Sequence, residues 1–154
     1  MSVVSLDRIE KRILIRAPRS RVWRALTDTK EFGSWFGVEL TGQFVSGQRL
    51  KGKVTHKGYE HLTWDVMVVT VEPERMLSWR WHPNAIDASK DYASELTTLV
   101  VFELEDAEAG TILTLVESGF EGVPAERREE AFRGNDGGWA VQMESVKRHV
   151  ESTP

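Results

Sequence analysis

The sequence predicts an α+β domain in which an antiparallel sheet is covered by one long C-terminal helix. Apolar and polar residues alternate over residues 9–17 and again between residues 38 and 118, which is the period of half-buried strands. The connections between the later strands are short, so we expect these strands to run antiparallel as a meander. Near the C-terminus the period becomes helical, with one apolar stripe formed by Trp139, Met143, Val146 and Val150.

Two short helices are expected between the first strand and the rest of the sheet. Pro18 suits the first turn of a helix, where its missing N–H leaves no hydrogen bond unmade. A second, broken helical piece around residues 30–35 ends in the region of Gly33 and Gly37. It carries more large apolar side chains than a plain surface loop would, so we expect it to pack against the core.

Turn sequences divide the remaining chain. Residues 42–47 and 57–58 contain the glycines of two turns, and residues 83–94 form a polar loop. The 42–47 segment lacks the Gly-Lys-Ser/Thr and the following helix of a phosphate-binding loop, so a hairpin turn is the better interpretation. Helical sequence resumes after Pro124. The glycines within residues 134–138 are expected to weaken or kink the helix there, at about 1 kcal/mol each relative to alanine.

Composition and charge exclude several classes of protein. The 154 residues fit one domain, and a net charge of −4 argues against a general nucleic-acid or anionic-membrane surface. There is no cysteine and the four histidines lack metal-ligand spacing, so we expect no metal and no cofactor. The N-terminus lacks the apolar segment of a signal peptide, and no apolar stretch is long enough to span a membrane. The expected location is therefore cytoplasmic.

Several segments of the chain resemble the SRPBCC (START/Bet v-type) superfamily, and within it the Aha-like branch named for the activator of heat-shock-protein-90 ATPase. The resemblance rests on IRAPRSRVWRALTD, the WFG of residues 35–37, GQFVSGQ, VTVEPERMLSWRW, TLVVFELEDAEAGTILTLVESGF and the late GGW. It covers about residues 8–150 of a single domain. It implies a helix-grip fold: a seven-stranded curved antiparallel sheet wrapped around the C-terminal helix, with two short helices after the first strand and an internal ligand cavity.

Aromatic residues are the main candidates for a ligand site in such a cavity. The chain has six tryptophans, and filling the core is the alternative role for each of them. Trp35 lies between glycines and is the best candidate for a pocket mouth. The full set of candidate cavity residues is Trp35, Phe36, Trp64, Trp79, Trp81, Phe102, Leu115, Glu117, Phe120, Trp139 and Met143.

Glu117 is the candidate polar group of the site. It shares a strand face with Leu113 and Leu115, a row that the resemblance directs toward the cavity. A carboxylate buried there needs a partner, such as Arg80 or His82. The alternative is a glutamate at the strand end that reaches water or pairs with a surface cation.

Three functions remain open from the sequence. The first is a non-catalytic module that binds a small hydrophobic or aromatic ligand, favoured because no catalytic set is assembled in the sequence. The second is a cyclase-like or hydratase-like enzyme acting on a polyketide-type ligand, with Glu117 or His82 as acid or base. The third is an interaction protein that activates a chaperone ATPase. No catalytic residue is assigned, no nucleic acid or membrane is expected as a partner, and the chain is expected to be a monomer or a homodimer.

Overall fold

A computed structural model describes residues 8–87 and 89–153 of the chain. Over these residues the chain forms one β-sheet, three α-helices and a one-turn 3-10 helix. In chain order these are β1 (Arg8–Ile15), α1 (Arg19–Thr27), α2 (Thr29–Phe36), β2 (Val38–Thr41), β3 (Arg49–Val54), β4 (Thr63–Glu72), β5 (Met76–Trp81), β6 (Thr98–Ala107), β7 (Gly110–Ser118), the 3-10 helix (Phe120–Gly122) and α3 (Ala125–Ser152).

The seven strands form one antiparallel sheet in the order β1-β7-β6-β5-β4-β3-β2. Strands β2 to β7 form a meander, and β1 pairs with β7 at the end of the sheet opposite β2. The short connections of the sequence account for this topology, since neighbouring antiparallel strands need only a turn between them. The sheet and its long C-terminal helix confirm the predicted helix-grip fold.

Alternation along the strands determines which side chains face α3. On β7 the side chains of Thr111, Leu113, Leu115 and Glu117 are fully buried, whereas the residues between them are half-buried. Successive side chains of a strand point to opposite faces, so these four form one inward row. The predicted apolar stripe of α3 packs on this side of the sheet, with Trp139, Met143, Val146 and Val150 all buried.

Helices α1 and α2 are separated by one residue that caps the second helix. The side chain of Asp28 accepts hydrogen bonds from the backbone N–H groups of Lys30 and Glu31, at 3.0 and 3.1 Å. Gly37 ends α2 with a φ of 94°, a conformation that a side chain disfavours. Within α2, a Cβ on Gly33 would lie 2.1 Å from the carbonyl oxygen of Val38, so glycine lets the start of β2 approach the helix.

Helix α3 runs without interruption for 28 residues, so the glycines within residues 134–138 do not break it. Contacts with the sheet account for this: Asn135 and Trp139 hydrogen-bond to Glu117, and Asp136 pairs with Lys11 of β1 at 2.9 Å. Tertiary contacts of this kind outweigh the low helix propensity of glycine. Among the described residues, no helix combines the length and the apolar character needed to cross a membrane.

Candidate functional site

The candidate site is built around Glu117, a carboxyl group in the interior of the domain. Glu117 lies in the inward row of β7, and its exposed fraction is 0%. It pairs across the sheet with Val100 of β6 and Ile9 of β1, which are also buried. The structure therefore places the carboxyl on the inner face of the sheet, where it does not reach water although Glu117 lies next to the end of β7.

Four side chains donate hydrogen bonds to Glu117. Nε1 of Trp81 and Oγ1 of Thr98 donate to Oε2, at 2.8 and 2.5 Å. Nε1 of Trp139 donates to Oε1 at 2.8 Å, and Nδ2 of Asn135 lies 2.9 Å from Oε1 and 3.2 Å from Oε2. Two of the donors belong to the sheet and two belong to α3. Glu117 thus joins the helix to the sheet through a buried polar network.

The four partners of Glu117 are all neutral side chains. A buried carboxylate needs either a cation or several hydrogen bonds, and hydrogen bonds take that role here. The predicted partners Arg80 and His82 are wrong. Arg80 is exposed on the outer face opposite Met67, and Nε2 of His82 donates to the carbonyl oxygen of Glu95 at 3.0 Å.

Aromatic rings occupy the interior beside Glu117. Neighbouring ring centroids lie between 4.8 and 6.5 Å apart, in edge-to-face, tilted and stacked arrangements. We call this set the aromatic cluster; its members are Phe32, Trp35, Phe36, Phe44, Trp64, Trp79, Trp81, Phe102 and Trp139. Phe36 and Trp81 are half-buried and the other rings are buried, so these two mark where the cluster meets solvent.

Most candidate cavity residues belong to this cluster or border it. Leu115 is buried beside Glu117 in the β7 row, and Met143 lies one turn beyond Trp139 on α3. Phe120 is buried outside the cluster, against the ring of Phe132 with centroids 5.2 Å apart. The structure thus brings together the sheet and α3 candidates, and it leaves Phe120 in a separate contact.

Trp35 lies deeper than a residue at a pocket mouth would. Its exposed fraction is 6%, and its Nε1 donates to the carbonyl oxygen of Ala25 at 2.8 Å. Ser145 of α3 donates to the Trp35 carbonyl oxygen at 2.6 Å. Trp35 therefore fixes α2 between α1 and α3, and the neighbouring Phe36 has the more open position.

Sequence reasoning missed four residues of the site. Thr98 is the first residue of β6, and no local pattern links its hydroxyl to Glu117. Asn135 lies four residues before Trp139 on α3, and this helical spacing is the signal that could have placed both beside one carboxyl group. Phe32 lies three residues before Trp35 on α2 in the same way, whereas Phe44 follows from no local pattern.

An ion-paired loop lies over the N-terminal half of α3, next to the Glu117 network. Arg127 donates to Glu95 Oε1 at 2.7 and 2.9 Å and to the carbonyl oxygen of Pro83 at 3.0 Å, while its guanidinium lies 4.8 Å from the centre of the Tyr92 ring. The hydrogen bonds from Arg127 lower the pKa of Glu95; burial opposes them, and Lys90 adds to them. The loop between β5 and β6 is therefore attached to α3 by charge.

Two surface depressions of about 530 Å³ each lie away from this site. One is lined by residues of β2, β3 and β4 and the loop that joins β3 to β4, and the other by residues of β1, β6 and β7. Neither includes Glu117 or a member of the aromatic cluster. Within the described part of the chain, no group of His, Asp and Glu side chains is placed to hold a metal ion.

The sequence matches the family described as "Activator of Hsp90 ATPase homolog 1-like protein" over residues 16–151. No curated protein matches the sequence. The fold is shared with protein MLL2253 from Mesorhizobium loti, which is 24% identical; the match covers 96% of this chain and 98% of that one, with a TM-score of 0.75.

Two further solved structures share the fold. The Aha1 dimer from Colwellia psychrerythraea is 22% identical, with 94% of this chain and 96% of that chain covered and a TM-score of 0.71. DynU16, from the dynemicin biosynthetic locus, is 22% identical with a TM-score of 0.71; 95% of this chain is covered, and it spans 48% of DynU16. At these identities the similarity concerns the fold.

Proposed function

The chain belongs to the Activator of Hsp90 ATPase homolog 1-like family, and we propose that it binds a small hydrophobic or aromatic molecule between its sheet and α3 without catalysing a reaction on it. The observation that carries this proposal is the aromatic cluster. Its rings form a continuous apolar layer from α2 across β4, β5 and β6 to α3, bounded by the buried carboxyl of Glu117. An apolar interior with a few convergent polar groups is typical of small-molecule sites.

Ligand entry is expected at the half-buried pair Phe36 and Trp81. Their ring centroids are 6.5 Å apart, and each also lies near the Trp139 ring, at 6.0 and 5.8 Å. Because the rings fill this space, a planar guest has to separate them. It then replaces ring–ring contacts by ring–ligand contacts of the same kind, which offsets the cost of opening the cluster.

The hydrogen bonds of Glu117 support binding without catalysis. A carboxylate offers about four acceptor positions, and the four donors around Glu117 already occupy both oxygens. A general base needs an oxygen within hydrogen-bond reach of the substrate proton. Glu117 instead holds the indoles of Trp81 and Trp139 in place, so we assign it a positioning role rather than proton transfer to a polyketide-type substrate.

Binding is tested with N-phenyl-1-naphthylamine, a neutral probe that fluoresces in apolar surroundings. We expect saturable binding by the wild type and about tenfold weaker binding by Phe36→Ala, because the ring at the entrance is lost. Tyr59→Ala is the matched control, since Tyr59 is an exposed aromatic residue outside the cluster. Native mass spectrometry of the freshly purified protein would reveal a co-purified ligand. Absence of probe binding by the folded wild type, or equal affinities of the two variants, contradicts the proposal.

A second candidate function follows from the family itself. Its description names activation of the Hsp90 ATPase, so the chain is a candidate for interaction with that chaperone. The measurement is the steady-state ATPase rate of purified Hsp90 with and without the chain. Stimulation that survives Phe36→Ala would assign this activity to an outer surface, separate from the aromatic cluster.

The assembly state is expected to be a homodimer rather than a monomer. The relative from Colwellia psychrerythraea is described as a dimer, and it shares the fold over nearly the whole chain. Sedimentation velocity at several protein concentrations distinguishes the two states, because a dimer sediments faster and dissociates on dilution.

A further inference from the structure

Two indole N–H groups inside the aromatic cluster lack a hydrogen-bond partner. Trp64 and Trp79 lie side by side on β4 and β5, with ring centroids 5.4 Å apart at an angle of 75°. Their exposed fractions are 6% and 0%, and neither Nε1 has a hydrogen-bond partner among residues 8–87 and 89–153. The indoles of Trp35, Trp81 and Trp139, in contrast, each donate to an oxygen of the protein.

An unpaired hydrogen-bond donor in the interior costs free energy, and neither position needs an indole N–H to fill the core. A buried polar group without a partner loses its hydrogen bonds to water and gains nothing in return. A phenylalanine would fill much of the same space without that cost. Buried polar groups are paired in nearly all native structures, so an unpaired pair in one place points to an acceptor that comes from outside the chain.

The surroundings of the pair define the chemistry of that acceptor. The rings next to Trp64 and Trp79 are those of Phe32, Phe36, Phe44, Trp81, Phe102 and Trp139, which offer an aromatic guest ring contacts on several sides. Glu117 lies directly behind Trp81 and Trp139. An anion would be placed close to this carboxyl in an apolar interior, so the acceptor has to be a neutral oxygen.

We infer that the ligand of the aromatic cluster is a neutral aromatic carbonyl compound, whose carbonyl oxygen accepts hydrogen bonds from Nε1 of Trp64 and Nε1 of Trp79. A carbonyl oxygen has two lone pairs and can accept from two donors. This inference rests on the proposed binding function and adds the chemical class of the ligand to it. Trp64 and Trp79 then select carbonyl compounds, whereas the other rings supply contacts to any aromatic guest.

The test compares two probes of nearly equal shape, the ketone 2-acetylnaphthalene and the alkene 2-isopropenylnaphthalene. The alkene has a methylene group where the ketone has its carbonyl oxygen. Affinities are measured by displacement of N-phenyl-1-naphthylamine. We expect the preference for the ketone over the alkene to fall by about tenfold in Trp79→Phe and in Trp64→Phe. Trp23→Phe is the matched control, because Trp23 lies on α1 outside the aromatic cluster, and the preference of this variant should equal that of the wild type.

Indole N–H resonances of wild-type protein labelled with ¹⁵N-tryptophan give a second readout that does not depend on how the variants fold. Both probes bring the same naphthalene ring current, so the ketone is expected to move the Trp64 and Trp79 signals further downfield than the alkene does, because only the ketone adds a hydrogen bond. Equal shifts with both probes overturn the inference. So do signals that already have hydrogen-bonded positions in the free protein, since an internal water would then be the acceptor.

The two proposals fail in different ways. If both probes bind and the preference is the same in wild type, Trp64→Phe and Trp79→Phe, the binding function stands and the carbonyl specificity is wrong. If neither probe binds to the folded wild type, the binding function is wrong and the inference falls with it.

Discussion

Two regions of the interior bury polar groups close together. The polar groups of one region have hydrogen-bond partners, and those of the other have none among the described residues. Around Glu117, four donors meet both carboxyl oxygens at 2.5 to 3.2 Å. One ring further into the cluster, Trp64 and Trp79 bury N–H groups that have no acceptor in the described chain. The first region connects α3 to the sheet, and the second is the proposed site for the carbonyl oxygen of a ligand. Burial of polar groups thus serves stability at one place and recognition at the other.

The comparison is tested most strongly by Glu117→Gln. The amide keeps one acceptor oxygen but turns an N–H donor toward the donors of Trp81, Thr98, Asn135 and Trp139. We expect the free energy of unfolding to fall by about 2–4 kcal/mol, because at least two buried donors lose their acceptor. Urea unfolding followed by circular dichroism measures it.

The matched control for this substitution is Glu103→Gln. Glu103 is exposed on β6, and its substitution should change stability by less than about 0.5 kcal/mol. If the two variants were equally stable, the network around Glu117 would not hold α3 to the sheet.

The second prediction compares the same substitution at the two regions. Trp139→Phe and Trp79→Phe remove the same atoms from buried sites, but only the first removes a hydrogen bond, that to Glu117. We expect Trp139→Phe to lower the free energy of unfolding by about 1–3 kcal/mol more than Trp79→Phe, because it leaves a buried acceptor with one donor fewer. Equal losses would mean that the N–H of Trp79 is hydrogen-bonded after all.

Much of the fold was predictable because it follows from local periodicity. The alternation of β7 predicts that Glu117 shares a strand face with Leu115, and the family resemblance directs that face inward. The helical stripe predicts that Trp139 lies on the apolar face of α3. The partners of Glu117 were not predictable in this way. They come from two strands and a distant helix, so only the packing of α3 brings Asn135 and Thr98 to the same carboxyl group.

Glycine propensity misled the sequence reasoning about α3 for a related reason. Helix propensity is a local quantity of about 1 kcal/mol per glycine. The contacts of Asn135, Asp136 and Trp139 with the sheet involve partners that lie 18 to 125 residues away in the chain. No short window of sequence contains both effects, and the long-range contacts are the larger ones here.

The third prediction concerns Glu95, a carboxylate that pairs with cations, whereas Glu117 accepts hydrogen bonds from neutral side chains. Glu95 accepts from Arg127 and Lys90, which lower its pKa, so its contribution to stability is present above the ordinary carboxyl range and is lost as pH falls. Glu95→Gln should cost about 1–3 kcal/mol at pH 7. The difference between wild type and variant should shrink between about pH 5 and pH 3. A difference that does not change with pH would contradict the ion pair.

The smallest expected effect concerns the glycines of α3. A Cβ on Gly137 would meet no atom within 4 Å, whereas a Cβ on Gly134 would lie 3.0 Å from Oδ1 of Asn84. Gly137→Ala should therefore raise the free energy of unfolding by about 0.5–1 kcal/mol, because alanine favours the helix, and Gly134→Ala should gain less. Affinity for N-phenyl-1-naphthylamine is expected to stay unchanged in Gly137→Ala. If stability rose while the probe was lost, ligand entry would require the glycine segment of α3 to bend, and the entrance would include the helix as well as Phe36 and Trp81.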